Sequence, residues 1–219
     1  MSPLVKICGL STPETLDAAL AAGADMVGFV FFPKSPRNVS LEAARALGAR
    51  VAGRAKTVAL TVDATDAELA AIVDALRPDM IQLHGRETPE RCGEIRARFG
   101  IPVMKALGVS TAADLISAPA YAAATDMLLF DAKPPKDAVL PGGNGLAFDW
   151  PILSGLDLGK PFMVSGGLDA ENVGMALALT GAQGADVSSG VESSPGTKDP
   201  RRIEDFIAAA RAAAREETR

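Results

Sequence analysis

A chain of 219 residues, 48% hydrophobic and 22% charged, has ordinary globular composition and can bury roughly 70% of its unfolded surface. Its net charge of -5 comes without a basic block, which argues against nucleic acid as a partner, and no apolar stretch approaches the roughly 20 residues of a membrane span. The N-terminus has no charged segment leading into an apolar run, and Cys8 and Cys92 make no disulfide framework, so a cytoplasmic protein with reduced thiols is expected.

In chain order, the first strand is Leu4 to Cys8, with Leu4, Lys6 and Cys8 on one face and Val5 and Ile7 on the other. Ser11-Thr12-Pro13-Glu14 opens a helix that stops at Gly23. Met26 to Phe31 reads as the second strand, and after the loop Pro33 to Arg37, Ser40 caps a helix through about Leu47. Thr57 to Val62 is the third strand, and Thr65 with Glu68 forms a capping box. Met80 to His84 is the fourth strand, followed by a helix from Thr88-Pro89 to Gly100. The fifth strand is Pro102 to Ala106, with a helix from near Ser110, and the sixth is Asp126 to Asp131. A long loop runs from Ala132 to about Phe148, and Phe148 to Leu153 carries the weakest helical signal. Phe162 to Ser165 and Ala185 to Ser188 are the last two strands, Asp169 caps the helix between them, and Asp199-Pro200 opens the final helix.

Eight strands alternating with helices at about 27 residues per unit predict parallel strands closed into a single-domain (β/α)8 barrel over residues 1–219. A doubly wound open sheet fits less well, because no Gly-x-Gly-x-x-Gly follows the first strand. With Cys8 pointing inward, Lys6 follows; His84 brings Gln82, Asp131 brings Met127 and Leu129, and Ser188 brings Asp186. The outward sets are apolar, and the polar inward residues gather toward strand C-termini, where barrel active sites lie.

Each of these residues also has a structural reading. A buried cysteine is commonly an inert small hydrophobe, and Cys92 is expected to be one. A lone histidine is equally at home hydrogen-bonded in a core. Asp131, ending the run Met-Leu-Leu-Phe, is costly to bury without a task, though a helix cap is an alternative. Ser165-Gly166-Gly167 and Ser188-Ser189-Gly190, after the seventh and eighth strands, form a candidate phosphate cradle: Gly166, Gly167, Ser188, Ser189 and Gly190 let backbone N–H groups approach an anion. Asp186 beside an anion is unusual and reads as an orienter of neighbouring groups. Arg37 is either a solvated charge or the fork for a substrate carboxylate. With Arg37, the inward Lys6, Gln82 and His84 are candidate substrate contacts.

An ordered set of motifs then resembles the phosphoribosylanthranilate isomerase family of tryptophan biosynthesis. The set is Val5-Lys6-Ile7-Cys8-Gly9, Gly28-Phe29-Val30-Phe31, Ser35-Pro36-Arg37, Gln82-Leu83-His84-Gly85, Leu129-Phe130-Asp131, Pro141-Gly142-Gly143-Asn144-Gly145 with Phe148-Asp149-Trp150, Ser165-Gly166-Gly167-Leu168, and Asp186-Val187-Ser188-Ser189-Gly190-Val191-Glu192. Asn144 departs from a commoner threonine. The resemblance implies an Amadori rearrangement of a phosphosugar with Cys8 as general base, Asp131 as general acid and Arg37 on the anthranilate carboxylate. It implies no cofactor, a small-molecule partner, and a monomer or homodimer. Three rivals remain. Another phosphosugar aldose–ketose isomerase of this fold, such as the related histidine-pathway enzyme, resembles the chain less, because that enzyme has aspartate where Cys8 stands. A catalytically silent phosphate-binding barrel would bind without turnover. Zinc on Cys8, His84 and Asp131 lacks any short ligand spacing.

Overall fold

Residues 2–133, 140–143, 145 and 147–216 are described in a computed structural model of the chain. Asn144, and 134–139 and 146 of the long loop, lie outside the described residues. Eight parallel strands close into a barrel in sequence order: β1 (Leu4–Cys8), β2 (Met26–Phe31), β3 (Lys56–Thr61), β4 (Met80–Leu83), β5 (Val103–Val109), β6 (Met127–Ala132), β7 (Phe162–Val164) and β8 (Gly184–Val187). The seam is closed by β1 on β8, with Lys6 opposite Asp186.

Alternation sorts every strand into two cores. Val5, Ile7, Val27, Phe29, Leu128, Phe130, Ala185 and Val187 face outward into the layer shared with the helices. The lower barrel interior is filled by Met26, Met80, Met104, Met127 and Met163 with Val58, Ala106 and Leu129. Five of the seven methionines therefore share one plug, where an unbranched thioether fills the irregular space that β-branched side chains leave.

The helices start where side chains satisfy their free N–H groups. Thr12 caps α1 (Pro13–Ala21), Ser40 caps α2 (Leu41–Val51), Thr65 and Glu68 form the expected box on α3 (Asp66–Leu76), and Thr88 caps α4 (Pro89–Phe99). Gly100 ends α4 in the left-handed region at φ 64. The remaining α-helices are α5 (Ala118–Ala124), α6 (Val173–Thr180) and α7 (Pro200–Glu216).

Several boundaries differ from expectation. α2 runs four residues past Leu47, and β5 continues to Val109 because Leu107 and Val109 extend its ladder with β6. The segment after β5 opens as a 3-10 turn, Ala112–Leu115, with α5 following at Ala118. Before β7 there is again only a 3-10 turn, Trp150–Leu153. Asp169 does not sit at a helix cap: its carboxylate accepts from the N–H groups of Glu171 and Asn172 and closes the turn ahead of α6. A hairpin, β9 (Glu192–Ser194) and β10 (Thr197–Lys198), follows β8 and a 3-10 turn at Ser189–Val191; the sequence reading missed it.

Candidate active site

The strand C-termini converge on one cleft. Cys8 closes β1, His84 follows β4, Asp131 lies near the end of β6, and Ser165 and Ser188 follow β7 and β8; all five line it. Arg37 from the loop after β2, and Gly166, Gly167, Ser189 and Gly190, line the same cleft. Its apolar wall is Val30, Phe32, Leu60 and Val62.

Cys8 sits on the cleft floor with only 3% exposure. Cys8 pairs across the sheet with Gly28, and a methyl group placed on Gly28 would come 3.0 Å from Cys8 Sγ and 3.3 Å from Lys6 Cε. The missing side chain at Gly28 thus makes room for thiol and lysine stem together. Burial pushes the Cys8 thiol up; Lys6 pulls it down by charge and hydrogen bonding without prevailing, and Asp186 adds to the rise.

Two of the expected substrate contacts do not line the cleft. Lys6 and Gln82 are both fully buried beneath the floor. Lys6 Nζ donates to Asp186 Oδ1 at 2.8 Å, and Gln82 Nε2 lies 3.3 Å from His84 Nδ1. Both are inward, as alternation requires, and lie below the residues that line the cleft. Burial opposes the Lys6 charge, yet Asp186 and Cys8 outweigh it and hold its pKa above the ordinary lysine value. Lys6 thus engages one oxygen of Asp186, which also lines the cleft. Gln82 Oε1 has no hydrogen-bond partner.

Asp131 Oδ2 lies 3.3 Å from His84 Nε2, and Oδ1 accepts from the N–H of Ala132 at 2.9 Å. Gly142 of the long loop covers this pair so closely that a Cβ there would stand 2.4 Å from Asp131 Oδ2 and 2.7 Å from His84 Nε2. Gly166 packs against Asp131 and Ala132 from the next strand end, and Gly166 and Gly167 turn with φ 84 and 63, values that favour glycine. Gly190 is glycine for a different reason: a Cβ would fall 1.9 Å from the Leu168 carbonyl oxygen.

Arg37 is 6% exposed and forked on Glu192, with Nε to Oε1 at 2.7 Å and Nη2 to Oε2 at 2.9 Å. Its Nη2 also meets the Gly143 carbonyl at 3.3 Å. Lys198 Nζ shares Glu192 Oε1 at 2.7 Å and reaches the Ser188 carbonyl at 2.9 Å. Glu192 stood in a quoted motif without a role, and Lys198 carried no signal. Their only sequence trace is a glutamate and a lysine flanking the turn Pro195-Gly196. Cys92 is packed with Leu69, Ile81 and Ile95, and burial pushes its thiol up to about 11. Among the described residues, no three of His, Cys, Asp or Glu are grouped to hold a metal ion.

Comparison with known proteins agrees with this geometry. The family model described as N-(5'phosphoribosyl)anthranilate (PRA) isomerase matches residues 5–209. The N-(5'-phosphoribosyl)anthranilate isomerase of Rhodopseudomonas palustris is 64% identical over 212 residues, 97% of each chain. That of Azorhizobium caulinodans is 65% identical over 209 residues, 95% of this chain and 92% of the relative. The solved phosphoribosyl anthranilate isomerase of Thermotoga maritima superposes with a TM-score of 0.87 at 36% identity, covering 96% of this chain and 99% of that one. A structure of such an isomerase in complex with reduced 1-(o-carboxyphenylamino)-1-deoxyribulose 5-phosphate superposes at 0.82 with 33% identity, again covering 96% and 99%. With its closed eight-stranded barrel and a match along nearly its whole length, the chain belongs to the N-(5'-phosphoribosyl)anthranilate isomerase family.

Proposed function

We propose that Cys8 is the general base and Asp131 the general acid of the reaction that defines this family. The chain is an aldose–ketose isomerase of tryptophan biosynthesis, turning N-(5-phosphoribosyl)anthranilate into 1-(2-carboxyphenylamino)-1-deoxyribulose 5-phosphate. The observation that carries the assignment is that Cys8 and Asp131, ending different strands, open onto one cleft with an arginine and two glycine turns on its rim.

Asp131 gives its proton to the furanose ring oxygen, and the C1–O bond breaks to leave a protonated Schiff base. The Cys8 thiolate takes the C2 proton, and the electron pair moves into the C1–C2 bond, giving an enolamine. On ketonisation C1 gains a proton and the enol hydroxyl releases one, so both groups return to their starting states. His84, 3.3 Å from Asp131, holds that carboxyl in place. Arg37 takes the anthranilate carboxylate through Nη1. The turns at Gly166-Gly167 and Ser188-Ser189-Gly190 take the phosphate on backbone N–H groups. Val30, Phe32, Leu60 and Val62 supply the apolar wall for the ring.

The same reading makes residues 1–219 one catalytic domain, its partner a small phosphosugar and its compartment the cytoplasm, where the buried free thiols of Cys8 and Cys92 stay reduced. No helix among the described residues is long and apolar enough to cross a membrane. A monomer or a homodimer fits this reading, and one Thermotoga maritima relative is described as dimeric. The test follows the loss of anthranilate fluorescence as purified protein consumes phosphoribosylanthranilate. Steady turnover that falls at least about a hundredfold in Cys8→Ala, with product-analogue binding kept, is expected. Near-normal turnover in that variant contradicts the role of Cys8.

A further inference from the structure

At the rim lies a buried trio of which the proposed function uses only Arg37: Arg37, Glu192 and Lys198 are each exposed by 6%. Glu192 is saturated. Its Oε1 accepts from Arg37 Nε and Lys198 Nζ, both at 2.7 Å, and its Oε2 accepts from Arg37 Nη2 at 2.9 Å and the Gly196 N–H at 3.1 Å. A carboxylate has about four lone-pair sites, and all are filled. The hairpin that presents Glu192 is wedged against the loop that presents Arg37, since a Cβ on Gly196 would stand 2.8 Å from the Pro36 carbonyl oxygen.

The fork fixes the plane of the guanidinium. Nε and one N–H of Nη2 are committed to Glu192 and the second N–H of Nη2 meets the Gly143 carbonyl, so among the described residues Nη1 is the nitrogen left for the cleft. A Cβ at Gly143 would come 2.8 Å from Nη1, so glycine there keeps that nitrogen open. Lys198 extends the network to the other rim, donating to both the carbonyl and the hydroxyl of Ser188, at 2.9 and 3.1 Å. Two cations around one carboxylate leave one net positive charge between the two places where an anion is to bind.

We propose that Glu192 is a positioning residue that aims Arg37 at the substrate carboxylate, and that Lys198 couples this fork to the phosphate loop through Ser188. This rests on the isomerase reading above and assigns it a specificity device: a ligand with anions at both ends meets two donors held in register by one buried carboxylate. Burial opposes the charge of Glu192, but Arg37 and Lys198 outweigh it and keep the group below its ordinary value, hence ionised at neutral pH. Lys198 has one shared carboxylate against burial and against Arg37, and is pulled down.

The test uses the full chain and measures turnover, KM and the inhibition constant of inorganic phosphate in parent, Glu192→Gln, Glu192→Asp and Lys198→Met. Glu192→Gln keeps shape but loses the charge and one acceptor. Its KM is expected to rise at least about tenfold with kcat within about threefold, because the lost interaction serves binding in ground and transition states alike. Glu192→Asp restores part of the loss. Lys198→Met raises the inhibition constant of inorganic phosphate by about tenfold or more, as Ser188 loses its tether. A purely structural ion trio would lower the melting temperature and leave these constants alone. A folded Glu192→Gln with KM within about twofold of the parent overturns the proposal. If Glu192→Gln does not fold, Glu192→Asp decides by the same ratio, since its shorter carboxylate cannot hold Arg37 and Lys198 together. An unchanged phosphate constant in Lys198→Met overturns the coupling. A parent without turnover counts against the isomerase reading itself, a result visible in the same assay.

Discussion

The Lys6 ammonium and the Asp186 carboxylate meet at 2.8 Å across the seam where β1 joins β8, at directly opposed positions and sealed from solvent. Such a pair contributes little net stability relative to apolar filling, but removing one partner strands a buried charge. Lys6→Met is expected to cost about 3–5 kcal/mol of unfolding free energy, read from the urea midpoint. A midpoint close to the parent's would mean that Asp186 discharges or finds water.

Cys8 makes a second prediction about pH. A base must be deprotonated to act, and burial holds this thiol above its ordinary value. The low-pH limb of kcat/KM therefore moves upward, and activity keeps climbing past about pH 8.5, the unperturbed thiol pKa. In Lys6→Met the limb moves further up, because the charge that favours the thiolate is gone. A parent profile already level at pH 7 contradicts this.

Gly28 is the spacer for the base. A Gly28→Ala methyl would sit 3.0 Å from Cys8 Sγ and 3.3 Å from Lys6 Cε, so one of them must shift. Overpacking of this kind costs about 1–3 kcal/mol. The displaced thiol lowers kcat at least about tenfold while product-analogue binding holds, because misplacement of a reacting group costs rate before affinity. Unchanged kcat in a folded variant would show that Sγ has room the geometry does not suggest.

Arg37→Lys loses the fork on Glu192 and with it the Nη1 donors aimed at the substrate carboxylate. A fall in kcat/KM of at least about tenfold is expected by the same fluorescence assay. An unaltered value would return Arg37 to a structural role.

The barrel was legible because its strands are buried on both faces, so runs such as Met127 to Asp131 stand out as apolar and end on a polar residue. Capped helices were equally clear at Thr12, Ser40, Thr65 and Thr88. What failed to show was local structure without a period. The 3-10 turns at Ala112–Leu115 and Trp150–Leu153, and the short hairpin at Glu192–Lys198, are too brief to repeat a hydrophobic spacing. Depth was the other loss. Alternation puts Lys6 and Gln82 inward but cannot tell the floor of a cleft from the layer beneath it, where both side chains lie. Glu192 lies 155 positions from Arg37, and no spacing rule joins residues that only barrel closure and a hairpin bring together.

The central claim is that Asp131 supplies a proton to the ring oxygen. Asp131 lies with His84 at 3.3 Å and Gly142 packed over both. Asp131→Asn preserves shape and hydrogen bonding but has no proton of useful acidity. The decisive measurement is turnover of this variant by loss of anthranilate fluorescence, beside its affinity for product analogue. Near-parental affinity and a loss of at least about a hundredfold in kcat are expected. Turnover above about a tenth of the parent rate would contradict it, against the loss expected for an essential acid, and would move the acid's role to His84.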